Sequence, residues 1–227
     1  MSDKGMGEMI KLRAEDGHEF GAYRAAPKGT ARGAIVVIME IFGVNQHIRG
    51  LCDSFAADGY VGIAPQIYDR IERDVDLGYG PDDFPKGRDL RSKMTWDHCL
   101  ADVAATVKVA GQSGRVGITG YCYGGGVAYA AACRVPGLSA SVGYYGGGWK
   151  EFLGEAPKCP TMLQFALQDA MIPASLAGEF KAKHPSVAVH MYDADHGFVC
   201  EARPHYNPYA TTLARHRQMG FYAATLD

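Results

Sequence analysis

The sequence predicts an α/β protein with a mainly parallel sheet that helices cover on both faces. Short β-branched and apolar runs alternate with longer runs of helical periodicity, the pattern that builds such a sheet. The run GAIVVIM at residues 33–39 is apolar throughout and suits a strand buried on both faces. At 227 residues the chain can bury one large core, so we expect a single domain over residues 1–227.

The first half of the chain opens with a hairpin and continues with alternating strands and helices. Asn45 is the expected N-cap of the first helix, and Gly59 and Gly111 are expected to end the first and second helices. The stretch before the second helix is charged and rich in Gly, Pro and Asp, which predicts an irregular connection. The predicted elements are hairpin strands 9–12 and 18–24, strand 33–39, helix 45–58, strand 61–64, connection 68–86 and helix 88–110.

The second half of the chain continues the same alternation. A β-rich run that reaches Tyr121 leads through a glycine-rich turn into an alanine-rich, helix-like run. A second glycine-rich stretch, residues 146–148, follows the next strand. The predicted elements are strand 115–121, helix 124–134, strands 138–145 and 161–167, helix 175–184, strand 187–192 and helix 208–224.

Composition excludes several classes of function. Lys and Arg total 23 against 25 Asp and Glu, and the net charge of −2 gives no basic surface for nucleic acid. No run approaches the roughly 18–20 apolar residues that span a bilayer. The N-terminal stretch MSDKGMGEMIKLRAEDG has no apolar leader segment. We therefore expect a cytoplasmic protein that binds neither nucleic acid nor membrane, as a monomer or weak homo-oligomer.

The six cysteines give no sign of a disulfide framework or of a metal site. No two of them form a CxxC pair or lie at zinc-ligand spacing, so we expect no metal. Most cysteines in such a chain are small buried residues, and this structural reading applies to each of them. The six are Cys52, Cys99, Cys122, Cys133, Cys159 and Cys200.

Reactive side chains follow four of the predicted strands. Ligands of parallel sheets collect at the carboxyl ends of the strands. A nucleophile, an acid, a base and a further carboxylate therefore come from four different strand ends and are expected to lie near one another. They are Cys122, Asp169, His196 and Glu40.

Cys122 lies in Gly-Tyr-Cys-Tyr-Gly between a predicted strand and a predicted helix. This pattern is that of a nucleophile elbow, with cysteine in the place of the more common serine. A cysteine at a helix N-terminus also feels the positive end of the helix dipole, which stabilises its thiolate. The alternative is a small buried residue in a glycine-rich turn.

The order nucleophile, acid, histidine along the chain is the one that accompanies this elbow. Asp169 and His196 fit that order, although an aspartate at a strand end is often only a helix cap and a lone histidine is often structural. Asp193 and Asp195 are rival acids, but they share a short loop with His196 and are poorly placed behind its ring. A metal site of Asp193, Asp195 and His196 has no further ligand pattern to support it.

The sequence resembles the dienelactone hydrolases, also called carboxymethylenebutenolidases, of the α/β-hydrolase superfamily. The resemblance covers nearly the whole chain and is densest in EIFGVN at 40–45, in GYCYGGG at 120–126 and around GYYG at 143–146. It implies a triad of Cys122, Asp169 and His196, with Glu40 as the carboxylate that activates the thiol. It also implies an oxyanion hole made by the backbone N–H groups of Ile41 and Tyr123, and no metal or organic cofactor.

The sequence departs from this family where the substrate carboxylate is bound. The family has an arginine four residues after the triad histidine, a position that Cys200 occupies here, and the nearest arginine is Arg203. Arg203, Tyr145 and Phe198 are candidate substrate contacts, although the aromatic residues fit core packing equally well. A second family arginine falls in the variable connection, where the candidates are Arg70, Arg73, Arg88 and Arg91.

The predicted function is hydrolysis of a small lactone or activated ester through an acyl-thioester intermediate on Cys122. A thiolate is a good leaving group as well as a good nucleophile, so activated esters are favoured over amides. A glutaminase is disfavoured because such enzymes place an acid two residues after the histidine, where this chain has Phe198. The alternative function is a non-catalytic or redox-sensing thiol protein on a hydrolase fold.

Overall fold

The computed structural model describes residues 7–227. Residues 1–6 lie outside the described part, and they include the start of the expected domain and of the N-terminal stretch quoted above. Eight strands form one sheet. They are β1 Glu8–Arg13, β2 Glu19–Ala25, β3 Ala34–Ile38, β4 Val61–Pro65, β5 Val116–Tyr121, β6 Leu138–Tyr144, β7 Thr161–Ala166 and β8 Ala188–Tyr192. The α-helices are α1 Gln46–Ala57, α2 Asp83–Lys93, α3 Trp96–Ala110, α4 Tyr123–Arg134, α5 Trp149–Phe152, α6 Ser175–Lys183 and α7 Pro208–Leu226.

The strand order is β1-β2-β4-β3-β5-β6-β7-β8, and β2 runs antiparallel to both of its neighbours. The pairs from β4 through β8 are parallel. The chain moves from β3 outward to β4 and then returns past β3 to β5, so the order reverses there. Right-handed crossovers in opposite directions place their helices on opposite faces. The expected α/β fold with a mainly parallel sheet is confirmed.

The central strands form the core. Every residue of β3, β4, β5 and β7 is buried, as the continuous apolar runs predicted. The edge strand β1 is mostly exposed. No helix within residues 7–227 has both the length and the apolar composition needed to cross a membrane.

The helix boundaries confirm one prediction and correct another. Asn45 caps α1 as expected, since its side chain accepts a hydrogen bond from the Ile48 N–H. The single helix expected over 88–110 is wrong, because the structure has two helices, α2 and α3. Met94 has an extended backbone, and the Thr95 side chain caps α3 by accepting from the His98 N–H. Because α2 begins at Asp83 and a 3-10 turn covers Ile67–Arg70, the irregular connection is also shorter than predicted.

Candidate active site

The four reactive residues follow strands that end at the same edge of the sheet. Cys122 comes directly after β5, and Glu40 follows β3, which pairs with β5. Asp169 and His196 follow β7 and β8, which pair with each other. The reversal of strand order beside β3 and β5 marks the place where parallel sheets bind ligands.

Cys122 occupies a sharp turn between β5 and α4. Its backbone has φ 54° and ψ −119°, a left-handed conformation that is strained for a residue with a side chain. A Cβ on Gly120 would lie 1.9 Å from the Gly124 carbonyl oxygen, and one on Gly124 would lie 2.5 Å from the carbonyl oxygens of residues 38 and 39. Glycine is therefore required on both sides of the turn, and the partly exposed Cys122 is presented as in a nucleophile elbow.

Asp169 binds the ring of His196. The Asp169 Oδ2 lies 2.7 Å from the His196 Nδ1, and both residues are buried. The other carboxylate oxygen accepts hydrogen bonds from the N–H groups of Met171 at 2.8 Å and Ile172 at 3.0 Å. Burial raises the pKa of Asp169, but the hydrogen bond and charge of His196 and the two N–H groups outweigh burial and hold that pKa below its usual value. Asp169 is therefore an anchored anion that orients the imidazole.

The second ring nitrogen of His196 is free to act on Cys122. Its Nε2 is buried and has no hydrogen-bond partner within the described part of the chain. Burial lowers the pKa of His196, but its interactions with Cys122 and with Asp169 raise it to about 10. A raised pKa favours the imidazolium form of His196, which can give a proton to a leaving group.

The two rival acids do not contact the imidazole ring. Asp193 accepts a hydrogen bond from the Gln168 side chain at 2.7 Å. Asp195 accepts from the backbone N–H of His196 and pairs with His205 at 3.0 Å. Asp169 alone among these three carboxylates bonds the ring.

Glu40 is a buried carboxylate held by two partners. Its Oε1 accepts a hydrogen bond from the Arg203 guanidinium at 3.0 Å, and its Oε2 accepts from the Tyr79 hydroxyl at 3.2 Å. Tyr79 lies in the connection before α2, where the sequence showed no periodic pattern that would single it out. In this structure, then, Glu40 is paired with Arg203.

A cavity of about 280 Å³ opens beside the thiol. Among the four arginines considered for this region, Arg88 of α2 lines it, whereas Arg70 is bound to Asp16 and Asp102. Phe84 and Met171, which the sequence did not single out, give the cavity an apolar rim. Its lining residues are Ile41, Phe42, Phe84, Arg88, Cys122, Met171, His196 and Arg203.

The other two candidate arginines and the aromatic candidates lie elsewhere. Arg73 is largely exposed, and Arg91 stacks on Tyr123 with its guanidinium carbon 4.3 Å from the ring centre. Tyr145 is fully buried, with its ring centre 4.9 Å from that of His196. Phe198 is equally buried and packs on Tyr145 at 5.3 Å. Neither residue is part of the cavity lining, and Tyr145 packs against the imidazole of His196.

The structure describes the surroundings of the two residues expected to form the oxyanion hole, Ile41 and Tyr123. Tyr123 is the first residue of α4, so its N–H has no acceptor within the helix and lies at the positive end of the helix dipole. Ile41 lines the cavity next to Cys122. The sequence prediction named these two groups from the family resemblance.

A parallel sheet with an elbow nucleophile, followed along the chain by an acid and a histidine at later strand ends, defines an α/β-hydrolase. The chain belongs to the dienelactone hydrolase family, whose model matches residues 20–226. The carboxymethylenebutenolidase of Pseudomonas sp. (strain P51) is 31% identical over 225 residues, which cover 93% of each chain. The chain is accordingly a hydrolase of carboxylic esters or lactones.

Solved structures agree with this assignment. A crystal structure described as a dienelactone hydrolase, from Klebsiella pneumoniae subsp. pneumoniae MGH 78578, has a TM-score of 0.81 and 27% identity, and the match covers 95% of this chain and 99% of that one. An esterase from Pyrococcus furiosus has a TM-score of 0.71 at 15% identity, covering 98% of this chain and 94% of that one. The second likeness shows the shared fold.

Proposed function

We propose that the chain opens a small lactone or activated ester through a triad of Cys122, His196 and Asp169, with an acyl-thioester intermediate. The observation that carries this proposal is the buried pair of Asp169 and His196, 2.7 Å apart, whose imidazole lines the same cavity as the elbow cysteine. In covalent catalysis a cysteine can act as the nucleophile, a histidine as the acid and base, and an aspartate as the group that orients the imidazole.

The reaction has two halves. The Cys122 thiolate attacks the carbonyl carbon, and the N–H groups of Ile41 and Tyr123 donate to the developing oxyanion. The ring C–O bond then breaks, and His196 gives its Nε2 proton to the leaving oxygen, which leaves an acyl thioester on Cys122. In the second half, His196 takes a proton from water, the hydroxide attacks the thioester, and the acid leaves as the thiolate is restored.

Glu40 has a conditional role in this proposal. The family resemblance assigns it to the activation of the thiol, but the carboxylate is held by Arg203 and Tyr79. It reaches Cys122 only when the bond to Arg203 weakens. A substrate carboxylate that binds Arg203 would cause this change, and thiol activation would then depend on substrate.

The cavity supports a small anionic substrate with an apolar body. Arg88 and Arg203 place two cationic groups in the lining, whereas Phe84, Met171 and Phe42 provide apolar surface. A guanidinium binds a carboxylate with two parallel hydrogen bonds. The relatives named carboxymethylenebutenolidase make a dienelactone the first substrate to test.

We further propose that the enzyme acts in the cytoplasm as one domain, without a cofactor, and as a monomer or weak homo-oligomer. All six cysteines are free thiols, and free thiols persist in reducing compartments. The triad carries out the chemistry without a metal.

Hydrolysis of a cis-dienelactone and of p-nitrophenyl acetate by the wild type and Cys122→Ala tests the proposal. We expect the wild type to open both substrates and the variant to lose nearly all activity. Turnover of the activated ester alone would retain the chemistry and reject the dienelactone as substrate. An inert wild type whose Cys122 reacts rapidly with peroxide would instead support the redox-sensing alternative.

A further inference from the structure

A second cluster of ligand-forming side chains includes Glu40 but not the thiol of Cys122. Glu40, His47 and Cys200 each offer one nitrogen, oxygen or sulfur atom, and these three atoms lie within 4.8 Å of one another. Glu40 and Cys200 are buried, and His47 lies in the first turn of α1. Three separate segments of the chain therefore bring three different donor types to one point.

The imidazole of His47 has a ring nitrogen whose hydrogen-bonding capacity is unsatisfied. Its Nε2 is buried and has no hydrogen-bond partner among residues 7–227. A buried polar atom without a partner costs free energy, and such atoms in folded proteins often mark the place of an absent ligand. A neutral imidazole has one ring nitrogen with a lone pair that a metal can bind.

One member of this cluster, His47, also lines a second cavity that is separate from the cavity beside the thiol. A cavity of about 890 Å³, which we call the rear cavity, lies between α1 and the segments 76–79 and 199–202. His47 and Tyr79 line it, and Tyr79 is bound to Glu40. A small cation in the rear cavity can therefore approach His47 without passing Cys122, which lines the other cavity.

We propose that Glu40, His47 and Cys200 bind Zn²⁺ or a similar borderline-soft divalent cation, and that this ion inhibits the hydrolase. One oxygen, one nitrogen and one sulfur ligand with water in the fourth position is a donor set that suits zinc. Zinc bonds of about 2.0–2.3 Å in a tetrahedron set ligand atoms about 3.3–3.8 Å apart, so the side chains close by about 1 Å on binding. Cys200 releases its thiol proton to solvent, and the two anionic ligands then neutralise the ion.

Inhibition follows from the position of Glu40, and this part of the inference depends on the proposed function. A carboxylate that coordinates a cation is a weaker partner for Arg203 and a weaker base for the thiol. The ion therefore holds Glu40 beside His47 and Cys200, so this carboxylate no longer takes part in the activation of Cys122. Binding itself does not depend on which reaction the enzyme catalyses.

Metal binding is tested first without substrate. The wild type, Cys200→Ser, His47→Gln and Cys122→Ala are dialysed against Zn²⁺, and their Co²⁺ complexes are inspected for a thiolate-to-cobalt absorption band. Cys133→Ser is the matched cysteine control, because Cys133 lies against the Glu155 carbonyl and outside the cluster. We expect about one ion per chain and the cobalt band in the wild type, Cys122→Ala and Cys133→Ser, and loss of both in Cys200→Ser and His47→Gln.

Circular dichroism confirms that each variant is folded, and the two cluster variants test the site independently of each other. Loss of binding in Cys122→Ala with retention in Cys200→Ser would overturn the proposal, because the ion would then bind the catalytic thiol. A wild type that binds no Zn²⁺ would overturn it as well. Neither result depends on the proposed reaction, since no substrate is present.

Inhibition is then measured with the cis-dienelactone, whose carboxylate is proposed to release Glu40 from Arg203, relative to the metal-free activity of each protein. We expect Cys200→Ser to raise the Zn²⁺ concentration for half-inhibition by more than about tenfold, because even outer-shell partners of metal ligands cost 10–100-fold in affinity when mutated. Equal inhibition of the wild type and Cys200→Ser would overturn the inhibitory role while leaving any observed binding in place.

Discussion

Asp169→Asn removes the negative charge that faces His196 and keeps the size of the side chain. In the wild type the two side chains are buried, with Oδ2 2.7 Å from Nδ1. The charge centres of such a pair are about 4 Å apart, where two unit charges at an effective dielectric constant of about 20 interact by about 4 kcal/mol. Losing this stabilisation of the imidazolium in the transition state corresponds to about 10³-fold in rate. A wrong ring tautomer in the amide variant extends the expected loss towards about 10⁴-fold.

The assay is kcat/KM for p-nitrophenyl acetate, with Asp193→Asn and Asp195→Asn as matched controls. Both controls remove a carboxylate from the loop of His196, but neither carboxylate touches the imidazole ring, so we expect them to stay within a few-fold of the wild type. Thermal unfolding shows whether all three variants are folded. A folded Asp169→Asn that keeps more than about a tenth of wild-type activity would refute the triad assignment, as would an equal loss in either control.

Three further predictions concern the cavity, the elbow and acid stability. Arg88→Ala is expected to raise KM for a lactone that carries a carboxylate by about tenfold or more, because a hydrogen bond to a charged group contributes about 1.5–3 kcal/mol. The kinetics with p-nitrophenyl acetate are expected to stay unchanged, as are those of the control variant Arg73→Ala. An equal effect of Arg88→Ala on both substrates would contradict this role. Gly124→Ala is expected to lower the free energy of unfolding by about 1–3 kcal/mol, since the added Cβ overlaps two backbone oxygens. Gly178→Ala is the control, because a Cβ at that position meets no atom within 4 Å. Equal urea midpoints for the two variants would contradict the argument. The folded-state pKa of Asp169 is depressed, so the stability that this carboxylate contributes is present above its ordinary pKa of 3.8 and is lost as pH falls through the lower folded value. The urea midpoints of the wild type and Asp169→Asn are therefore expected to converge below pH 3.8. A difference between the two midpoints that does not change with pH would contradict this.

The sequence predicted the strands better than the helix boundaries, for a physical reason. Strands such as β3 are buried on both faces, so their whole length is apolar and visible as a run. The division of the predicted helix 88–110 depends on two residues, Met94 and Thr95, whose extended backbones lie between two stretches that are each helical. Helical periodicity continues across so short a break, and only the Thr95 side chain, as a possible N-cap, signalled it.

The site shows the same division between local pattern and tertiary contact. Strand ends indicated Glu40, Cys122, Asp169 and His196, because the carboxyl ends of parallel strands meet at one edge. The bond of Arg203 to Glu40 joins residues 163 positions apart, and no local pattern carries that information. The family position four residues after the histidine holds Cys200 here, yet Arg203 three residues later lines the cavity.

The residue type of an aromatic side chain does not tell whether it contacts substrate or packs in the core, whereas its burial in the structure does. Tyr145 and Phe198 were candidate substrate contacts because aromatic side chains are common in both pockets and cores. The structure places both fully buried, with Tyr145 packed on the imidazole of His196 and Phe198 packed on Tyr145. Phe84 and Met171, by contrast, lie at the rim of the cavity, and their positions depend on how α2 and the loop after β7 pack.

The central claim is that Cys122 carries the acyl group during turnover. The most direct test is mass spectrometry of the enzyme quenched with acid during the hydrolysis of p-nitrophenyl acetate, followed by peptide mapping. The account predicts one acetyl group, located on Cys122, that disappears once the substrate is exhausted and is absent from Cys122→Ala. Acetylation of a different residue during turnover, or undiminished turnover by Cys122→Ala, would contradict it.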